Sequence, residues 1–195
     1  MSEQYFAKKP GCESRPVAFE TECVGVRASF ETDAGVFSKG ELDEGTRVLL
    51  EALPPLHGRA LDLGCGWGAV GVLLGKKYPD VSLLMADVNE RALSLAVANV
   101  EKNHMQARAV LSDGFERIEG MFDAVITNPP IRAGKAVIYK MFEDAKAHLK
   151  LGGMLVLVIR KQQGAPSALK FLKELYKKAE VIARDGGYWI IRCDA

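Results

Sequence analysis

The chain has 195 residues, of which 48% are hydrophobic and 26% charged, and its formal net charge is +1. This composition is typical of one folded domain with a full-sized core, or of one domain with a small appendage, and it excludes a disordered chain. The charge balance excludes a global basic field, so any nucleic-acid surface would have to be local.

The first 55 residues differ in pattern from the rest of the chain. Apolar and polar residues alternate within Val17–Phe30, and Glu41–Leu53 predicts a helix that ends before Pro54-Pro55. We interpret residues 1–55 as a small β-rich extension followed by a helix. This extension is either a structural cover for the rest of the fold or a lid that helps to recognise substrate, since Gly35-Val36-Phe37-Ser38 precedes the next predicted strand.

From Arg59 onward, short apolar runs alternate with helical patterns. The predicted strands are Arg59–Leu63, Val81–Ala86, Ala107–Leu111, Phe122–Thr127, Met154–Arg160, Glu180–Arg184 and Tyr188–Arg192. The predicted helices are Ala69–Tyr78, Glu90–Asn103, Lys135–Lys150 and Pro166–Tyr176. Such alternation implies parallel strands with right-handed crossovers, whereas the turn Asp185-Gly186-Gly187 makes the last two strands an antiparallel hairpin. Residues 56–195 are therefore predicted to form an α/β domain with a doubly wound, mostly parallel seven-stranded sheet and an antiparallel C-terminal strand pair.

A glycine-rich segment, Leu61-Asp62-Leu63-Gly64-Cys65-Gly66-Trp67-Gly68, ends the first strand of this sheet and opens a helix. Glycines allow the backbone to approach a ligand closely, and the helix start adds favourable dipoles. The spacing matches the dinucleotide-binding pattern in two registers, from Gly64 to Ala69 and from Gly66 to Gly71. The segment thus indicates a nucleotide-like cofactor but leaves NAD and S-adenosylmethionine open.

Two further acids lie at predicted strand ends, the rim where open sheets bind ligands. Asp87 ends the second strand, where a carboxylate can bind both ribose hydroxyls; the alternative is a helix cap. Asp113, with Gly114, follows the third strand and would lie beside an adenine; the alternative is an ordinary turn.

The segment Asn128-Pro129-Pro130-Ile131 directly follows the apolar run Ala124-Val125-Ile126-Thr127. Two prolines cannot continue a central strand because neither has a backbone N–H, and they stiffen the chain. A stiff turn led by an amide side chain can hold hydrogen-bond acceptors around a substrate NH₂ group. The segment therefore predicts chemistry on an exocyclic or amide nitrogen.

The four cysteines, Cys12, Cys23, Cys65 and Cys193, are scattered without a CxxC pair. This pattern argues against a structural zinc site or a disulfide framework. The first 20 residues contain no apolar signal segment, and no uncharged apolar stretch is long enough to span a bilayer. We therefore expect a cytoplasmic enzyme with no metal and no membrane partner.

Taken together and in this order, these motifs closely resemble those of class I S-adenosylmethionine-dependent methyltransferases. Longer strings resemble the small-methyltransferase family that includes ribosomal RNA guanine-N2 methyltransferases: Gly35-Val36-Phe37-Ser38, Asn128-Pro129-Pro130-Ile131-Arg132-Ala133-Gly134-Lys135 and Lys161-Gln162-Gln163-Gly164-Ala165-Pro166-Ser167. The chain is similar to short single-domain relatives that lack the extra N-terminal domain of the proven small-subunit enzymes.

The resemblance implies a role for each motif. S-adenosylmethionine would contact Asp62, Gly64, Gly66, Gly68, Asp87, Asp113, Gly114 and Asn128. The catalytic segment would be Asn128, Pro129 and Pro130, with the Asn128 side chain and the Pro129 carbonyl accepting hydrogen bonds from the target NH₂ group. Its nitrogen lone pair would then face the transferable methyl group, so that catalysis comes mostly from orientation.

Ile131 departs from the Tyr or Phe that many relatives carry at this position to stack on a flipped base. It could sandwich a base by dispersion, or Phe37 or Phe115 could stack instead. Core packing is the alternative role for Phe37.

Four cations follow the fourth and fifth predicted strands: Arg132, Lys135, Arg160 and Lys161. Since these strands are neighbours in a doubly wound sheet, the four would surround the Asn128 site and bind phosphates that flank the target nucleotide. Solvated loop charge is the alternative.

The sequence thus predicts methyl transfer to an exocyclic amino group, in the first place guanine-N2 of ribosomal RNA, with ribosomal RNA or a ribosomal subunit as the partner. An adenine amine or a protein glutamine amide is the alternative acceptor. An NAD(P)-dependent oxidoreductase and a non-enzymatic RNA-binding protein are more remote alternatives.

Overall fold

The computed structural model describes residues 11–195, so the expectation about an N-terminal signal segment falls partly outside the described residues. Nine strands are present there: β1 (Val17–Cys23), β2 (Val26–Thr32), β3 (Arg59–Leu63), β4 (Ser82–Asp87), β5 (Arg108–Leu111), β6 (Phe122–Thr127), β7 (Leu149–Arg160), β8 (Lys178–Asp185) and β9 (Tyr188–Asp194). The α-helices are α1 (Glu44–Ala52), α2 (Ala69–Lys77), α3 (Glu90–Lys102), α4 (Lys135–Ala147) and α5 (Ala165–Leu175).

Seven of these strands form one sheet in the order β5-β4-β3-β6-β7-β9-β8. The neighbours from β5 to β7 are parallel, and β9 pairs antiparallel with both β7 and β8. The predicted doubly wound, mostly parallel sheet with an antiparallel C-terminal pair is confirmed. Because β6 and β7 are adjacent, the residues that follow them lie at the same edge of the sheet.

Both faces of the sheet are buried, which explains why its strands are continuous apolar runs. In β7, Met154, Val156 and Val158 belong to one buried cluster, and Leu155, Leu157 and Ile159 belong to the other. Helices α1, α2 and α3 supply side chains to the first cluster, and α4 and α5 supply the second.

Strands β1 and β2 form a separate two-stranded antiparallel hairpin that packs into the first cluster through Cys23, Ala28 and Phe30. A two-stranded hairpin has little stability alone. Here two asparagines of α3 hold β2. The Asn99 side chain accepts from the N–H of Glu31 (2.7 Å) and donates to its carbonyl (2.9 Å). Asn103 does the same with Ser29 at 3.1 and 2.7 Å. The predicted β-rich extension is therefore joined to the sheet's helical layer.

The alternating stretches of Val17–Phe30 lie in β1 and β2, which are separated by a turn at Val24-Gly25, where both residues have positive φ. Three predicted boundaries were wrong by three residues or more. The first helix begins at Glu44 rather than Glu41, because the Asp43 side chain accepts from the N–H of Thr46 and caps it.

The other two errors lie between α4 and β7, since the helix stops at Ala147 rather than Lys150. β7 then begins at Leu149 rather than Met154 and pairs with Phe122 across a register shift.

Within residues 11–195, no helix has both the length and the apolar character needed to cross a membrane.

Candidate functional site

A cavity of about 360 Å³ opens at the carboxyl ends of β3, β4 and β6 and beside the loop after β5. This is the edge at which open α/β sheets bind ligands, and the volume is in the usual range for small-molecule sites. Nine of the residues predicted for the site line it together: Asp62, Gly64, Gly66, Asp87, Asp113, Gly114, Asn128, Pro129 and Pro130. The fold therefore collects motifs that are up to 68 positions apart in the sequence, from Asp62 to Pro130.

The glycine loop is hydrogen-bonded to the end of β4. The N–H of Gly66 donates to Asp87 Oδ2 at 2.7 Å, and the N–H groups of Gly64 and Cys65 both donate to the carbonyl of Ala86. Gly64 and Gly66 have φ values of +71° and +55°, which favour glycine, and a Cβ at either would project into open space. The loop backbone is thus open to a ligand.

Gly68, in the same loop, has a packing role instead. It lies outside the cavity lining, and a Cβ there would come within 3.2 Å of the Ala96 backbone. Its absence of a side chain lets the start of α2 approach α3. A contact between Gly68 and the cofactor stays a prediction.

Asp62 lies at the base of the cavity with only 1% of its surface exposed. Its Oδ2 accepts from the N–H of Gly71 at 2.9 Å. Burial raises the pKa of Asp62 to about 7, and the nearby charge of Asp87 adds to this rise, while the Gly71 hydrogen bond opposes it. Burial also raises the pKa of Asp87.

These two carboxyl groups fit S-adenosylmethionine. Among residues 11–195, neither Asp62 nor Asp87 forms a salt bridge, so the protein itself supplies no cation to them. A buried carboxylate is stabilised by an opposite charge or by hydrogen-bond donors. The cofactor offers both, since it carries an ammonium group, a sulfonium centre and ribose hydroxyls.

Asp113 is exposed at the cavity wall, in a turn that the neighbouring serine closes. Ser112 Oγ donates to the carbonyl of Gly114 and accepts from the N–H of Arg117, both at 3.0 Å. Asp113 thus lies in a turn and also lines the cavity, so a role in the turn is compatible with a contact to the adenine of a cofactor.

The Asn128 side chain is oriented by α1. Its Nδ2 donates to Thr46 Oγ1 at 3.0 Å and to Asp43 Oδ2 at 3.2 Å. A carboxylate only accepts hydrogen bonds, so the NH₂ end of the amide must face α1. The carbonyl oxygen of Asn128 is thereby left for a ligand.

Sequence reasoning missed Asp43 and Thr46, although both line the cavity. An aspartate directly before Glu44 is a helix-cap signal that could have indicated Asp43.

The aromatic candidates separate clearly. Phe37 is 37% exposed and lines the cavity, and its carbonyl accepts from Trp67 Nε1 at 2.8 Å. Phe115 is buried and stacks on His148 at 4.5 Å, away from the lining. Ile131 is half-buried against the second core cluster and also lies outside the lining. Phe37 is therefore the better placed of the three to stack on a ligand.

The four predicted phosphate-binding cations lie outside the cavity and are exposed. Arg132 lies in a 3₁₀ turn (Ile131–Ala133), and Lys135 begins α4 with its Nζ 4.9 Å from the Tyr139 ring centre. Arg160 ends β7 over the Tyr188 ring at 4.6 Å, and Lys161 follows it. In the part of the chain that the structure describes, none of the four is paired with an acid.

Comparison with known proteins shows the family to which the chain belongs. Residues 27–192 match the model of the methyltransferase small domain family. The uncharacterised protein YbxB of Bacillus subtilis is 40% identical over 98% of both chains. The ribosomal RNA small subunit methyltransferase C of Shewanella loihica is 40% identical over 75% of this chain, and that of Hahella chejuensis is 45% identical over 64%.

Among solved structures, the T. thermophilus 16S rRNA N2 methyltransferase, in complex with AdoMet and guanosine, superposes with a TM-score of 0.83. It is 26% identical, and the match covers 92% of this chain and 50% of that one. The chain spans about 44% and 38% of the length of the Shewanella and Hahella relatives. These matches decide between the two cofactors that the glycine loop left open, in favour of S-adenosylmethionine.

Proposed function

Because the chain belongs to the methyltransferase small domain family, we propose that it transfers a methyl group from S-adenosylmethionine to the 2-amino group of a guanosine in ribosomal RNA. The cofactor supplies an electrophilic methyl group. The protein's part is to bind both reactants, to orient the target nitrogen and to exclude water from the space between them.

The orientation of Asn128 is the observation that carries this proposal. Its NH₂ group is held by Asp43 and Thr46, so its carbonyl oxygen is left to accept a hydrogen bond from the target amine. Pro129 also lines the cavity, and its carbonyl would supply a second acceptor on a stiff backbone. Two acceptors at an NH₂ group hold its plane and direct the nitrogen lone pair toward the methyl donor. Catalysis then comes from proximity and orientation, and no strong base is needed before the bond forms.

The preference for guanine in ribosomal RNA is supported by the relatives. The named curated relatives are small-subunit rRNA methyltransferases, and the solved relative binds guanosine. This chain spans about half of the length of those proteins, so guanine in ribosomal RNA is proposed, by similarity, as its substrate. An adenine amine and a glutamine amide are the competing acceptors, and the experiment below distinguishes them.

RNA binding is proposed for Arg132, Lys135, Arg160 and Lys161. They follow β6 and β7, which are adjacent, and they have no acidic partner within residues 11–195. Cations that are not already neutralised can bind phosphate groups and release counterions. An rRNA substrate would also place the reaction in the cytoplasm.

The test is mass spectrometry of nucleosides from the ribosomal RNA of cells with and without the gene. The expected result is the loss of one N2-methylguanosine, which returns when the gene is restored but not when an Asn128→Ala copy is supplied. The Asn128→Ala protein should still bind S-adenosylmethionine in calorimetry. No change in any rRNA nucleoside would refute the rRNA assignment. A fully active Asn128→Ala enzyme would refute the role of Asn128.

A further inference from the structure

Asp43 stands beside Asn128 in the cavity, and its hydrogen bonds engage one of its two carboxylate oxygens. Oδ2 accepts from the N–H of Thr46 at 2.9 Å, from the Thr46 hydroxyl at 3.4 Å and from Asn128 Nδ2 at 3.2 Å. Within residues 11–195, Oδ1 has no hydrogen-bond partner and Asp43 has no salt bridge. Asp43 Oδ1 is therefore available to accept a hydrogen bond from a ligand, next to the Asn128 amide that is proposed to hold the target amine.

The three candidate acceptors of the methyl group differ at the atom next to the amine. In guanine, the 2-amino group lies between N1–H, which is a donor, and N3, which is an acceptor. In adenine, the 6-amino group is flanked by N1 without hydrogen, which is an acceptor. In a glutamine amide, the NH₂ group is flanked by the carbonyl oxygen, also an acceptor. A second fixed acceptor beside Asn128 thus matches guanine alone, since two acceptors facing each other leave a buried polar group unpaired.

We propose that Asp43 Oδ1 accepts the N1–H of the target guanine, which makes Asp43 the residue that selects this base. The inference rests on the proposed function and deepens it. Asp43 is held in place for this task because its side chain caps α1. Gly45, two residues after Asp43, is packed so tightly that a Cβ there would lie 2.7 Å from the Tyr188 ring. A rigid acceptor cannot turn away from a wrong partner, and so it discriminates.

The variant Asp43→Asn converts the free acceptor into a donor and disturbs little else. Its side-chain oxygen must take the place of Oδ2, because the N–H of Thr46 and the NH₂ of Asn128 both point there. The NH₂ group then takes the place of Oδ1. Asparagine also caps helices as well as aspartate does, so α1 should remain intact.

The substrate pair for the assay is a synthetic RNA that carries either guanine or 2-aminopurine at the nucleotide that the wild-type enzyme methylates. 2-Aminopurine keeps the 2-amino group, but its N1 is an acceptor. We expect the wild-type enzyme to prefer guanine by about 10- to 100-fold in kcat/KM, and Asp43→Asn to reverse this preference or reduce it to about one. A purely structural role for Asp43 would lower both rates and leave their ratio unchanged.

Thr46→Val is the matched control. It is nearly isosteric and removes one acceptor from the Asn128 amide while leaving Asp43 Oδ1 in place. It should slow the reaction on both RNAs by a similar factor, without a change of preference. Melting temperatures of both variants establish that they fold.

The outcomes separate the two proposals. If the wild-type enzyme methylates guanosine and Asp43→Asn keeps the wild-type ratio between the two RNAs, the role of Asp43 is overturned and the proposed function stands. If the wild-type enzyme methylates no guanosine in ribosomal RNA, the proposed function itself fails.

Discussion

Replacing Asp62 with asparagine tests how burial controls the cofactor site. Burial raises the pKa of Asp62 to about 7, so this carboxyl group is about half protonated near neutral pH when no cofactor is bound. A bound cation favours the ionised form, and cofactor binding should therefore expel a proton. Asparagine cannot titrate, yet its oxygen can still accept the hydrogen bond from Gly71.

The size of the effect follows from the ionised fraction. With a pKa of about 7, that fraction falls from about three quarters at pH 7.5 to about 3% at pH 5.5. The affinity of the wild-type protein for S-adenosylmethionine should fall about 25-fold over this range, while that of Asp62→Asn stays nearly constant. Calorimetry in two buffers of different ionisation enthalpy measures both the affinity and the protons released. A wild-type affinity that does not change with pH, or an equal slope in Asp62→Asn, would refute the reasoning.

Stability provides a second readout of the same group. The folded-state pKa of about 7 lies above the usual 3.8, so the native protein binds this proton more tightly than the unfolded chain does. The contribution of Asp62 to stability is therefore complete below about pH 4 and is lost as the pH rises through 7. Without cofactor, Asp62→Asn should be more stable than wild type at pH 8, with the gain shrinking toward pH 4 in urea titrations. A gain that grows on acidification would contradict this sign.

Three other changes test the surface, the fold and the cavity mouth. The double variant Arg132→Gln, Lys135→Gln should weaken RNA binding and reduce the slope of log affinity against log salt concentration by about 1.5, while its affinity for the cofactor stays the same. Unaltered RNA affinity in a filter-binding assay would contradict a phosphate-binding role for these two residues. Asn99→Ala removes three hydrogen bonds, to Glu31 and to the Trp67 carbonyl. It should lower the free energy of unfolding by about 3 kcal/mol in urea titrations, whereas a loss below about 0.5 kcal/mol, as expected for a surface change, would contradict the structure. Phe37→Ala should raise the KM for RNA about tenfold and Phe37→Tyr should preserve it, since stacking is worth about 1–3 kcal/mol per base; equal kinetics for both would refute stacking.

The sheet could be predicted from the sequence because its strands carry strong local signals. β3 and β6 have the predicted bounds, since Gly64 ends the one and Asn128-Pro129 ends the other. The start of β7 could not be predicted because Gly152-Gly153 reads as a turn. Only the pairing of Leu149 with Phe122, a contact made across the sheet, extends the strand through it.

The part of the candidate site that consists of short motifs at strand ends could be predicted from the sequence. The acids and glycines at strand ends meet at the cavity because strand order brings them there. Asp43 and Thr46 could not be found in this way. They lie 85 and 82 positions before Asn128, and only the packing of α1 brings them to it. The exposure of Phe37 and the burial of Phe115 distinguish these two candidates, which no local sequence pattern could do.

Asn99 and Asn103, which bind the hairpin, also affect whether other protein chains can add to its edge. A strand edge with free N–H and C=O groups is a template on which a foreign strand can add, and this is how many sheets aggregate. On β2, the groups of Ser29 and Glu31 that face away from β1 are already bonded to the side chains of Asn103 and Asn99. Two amides on a helix thus imitate a neighbouring strand and close this edge to polymerisation.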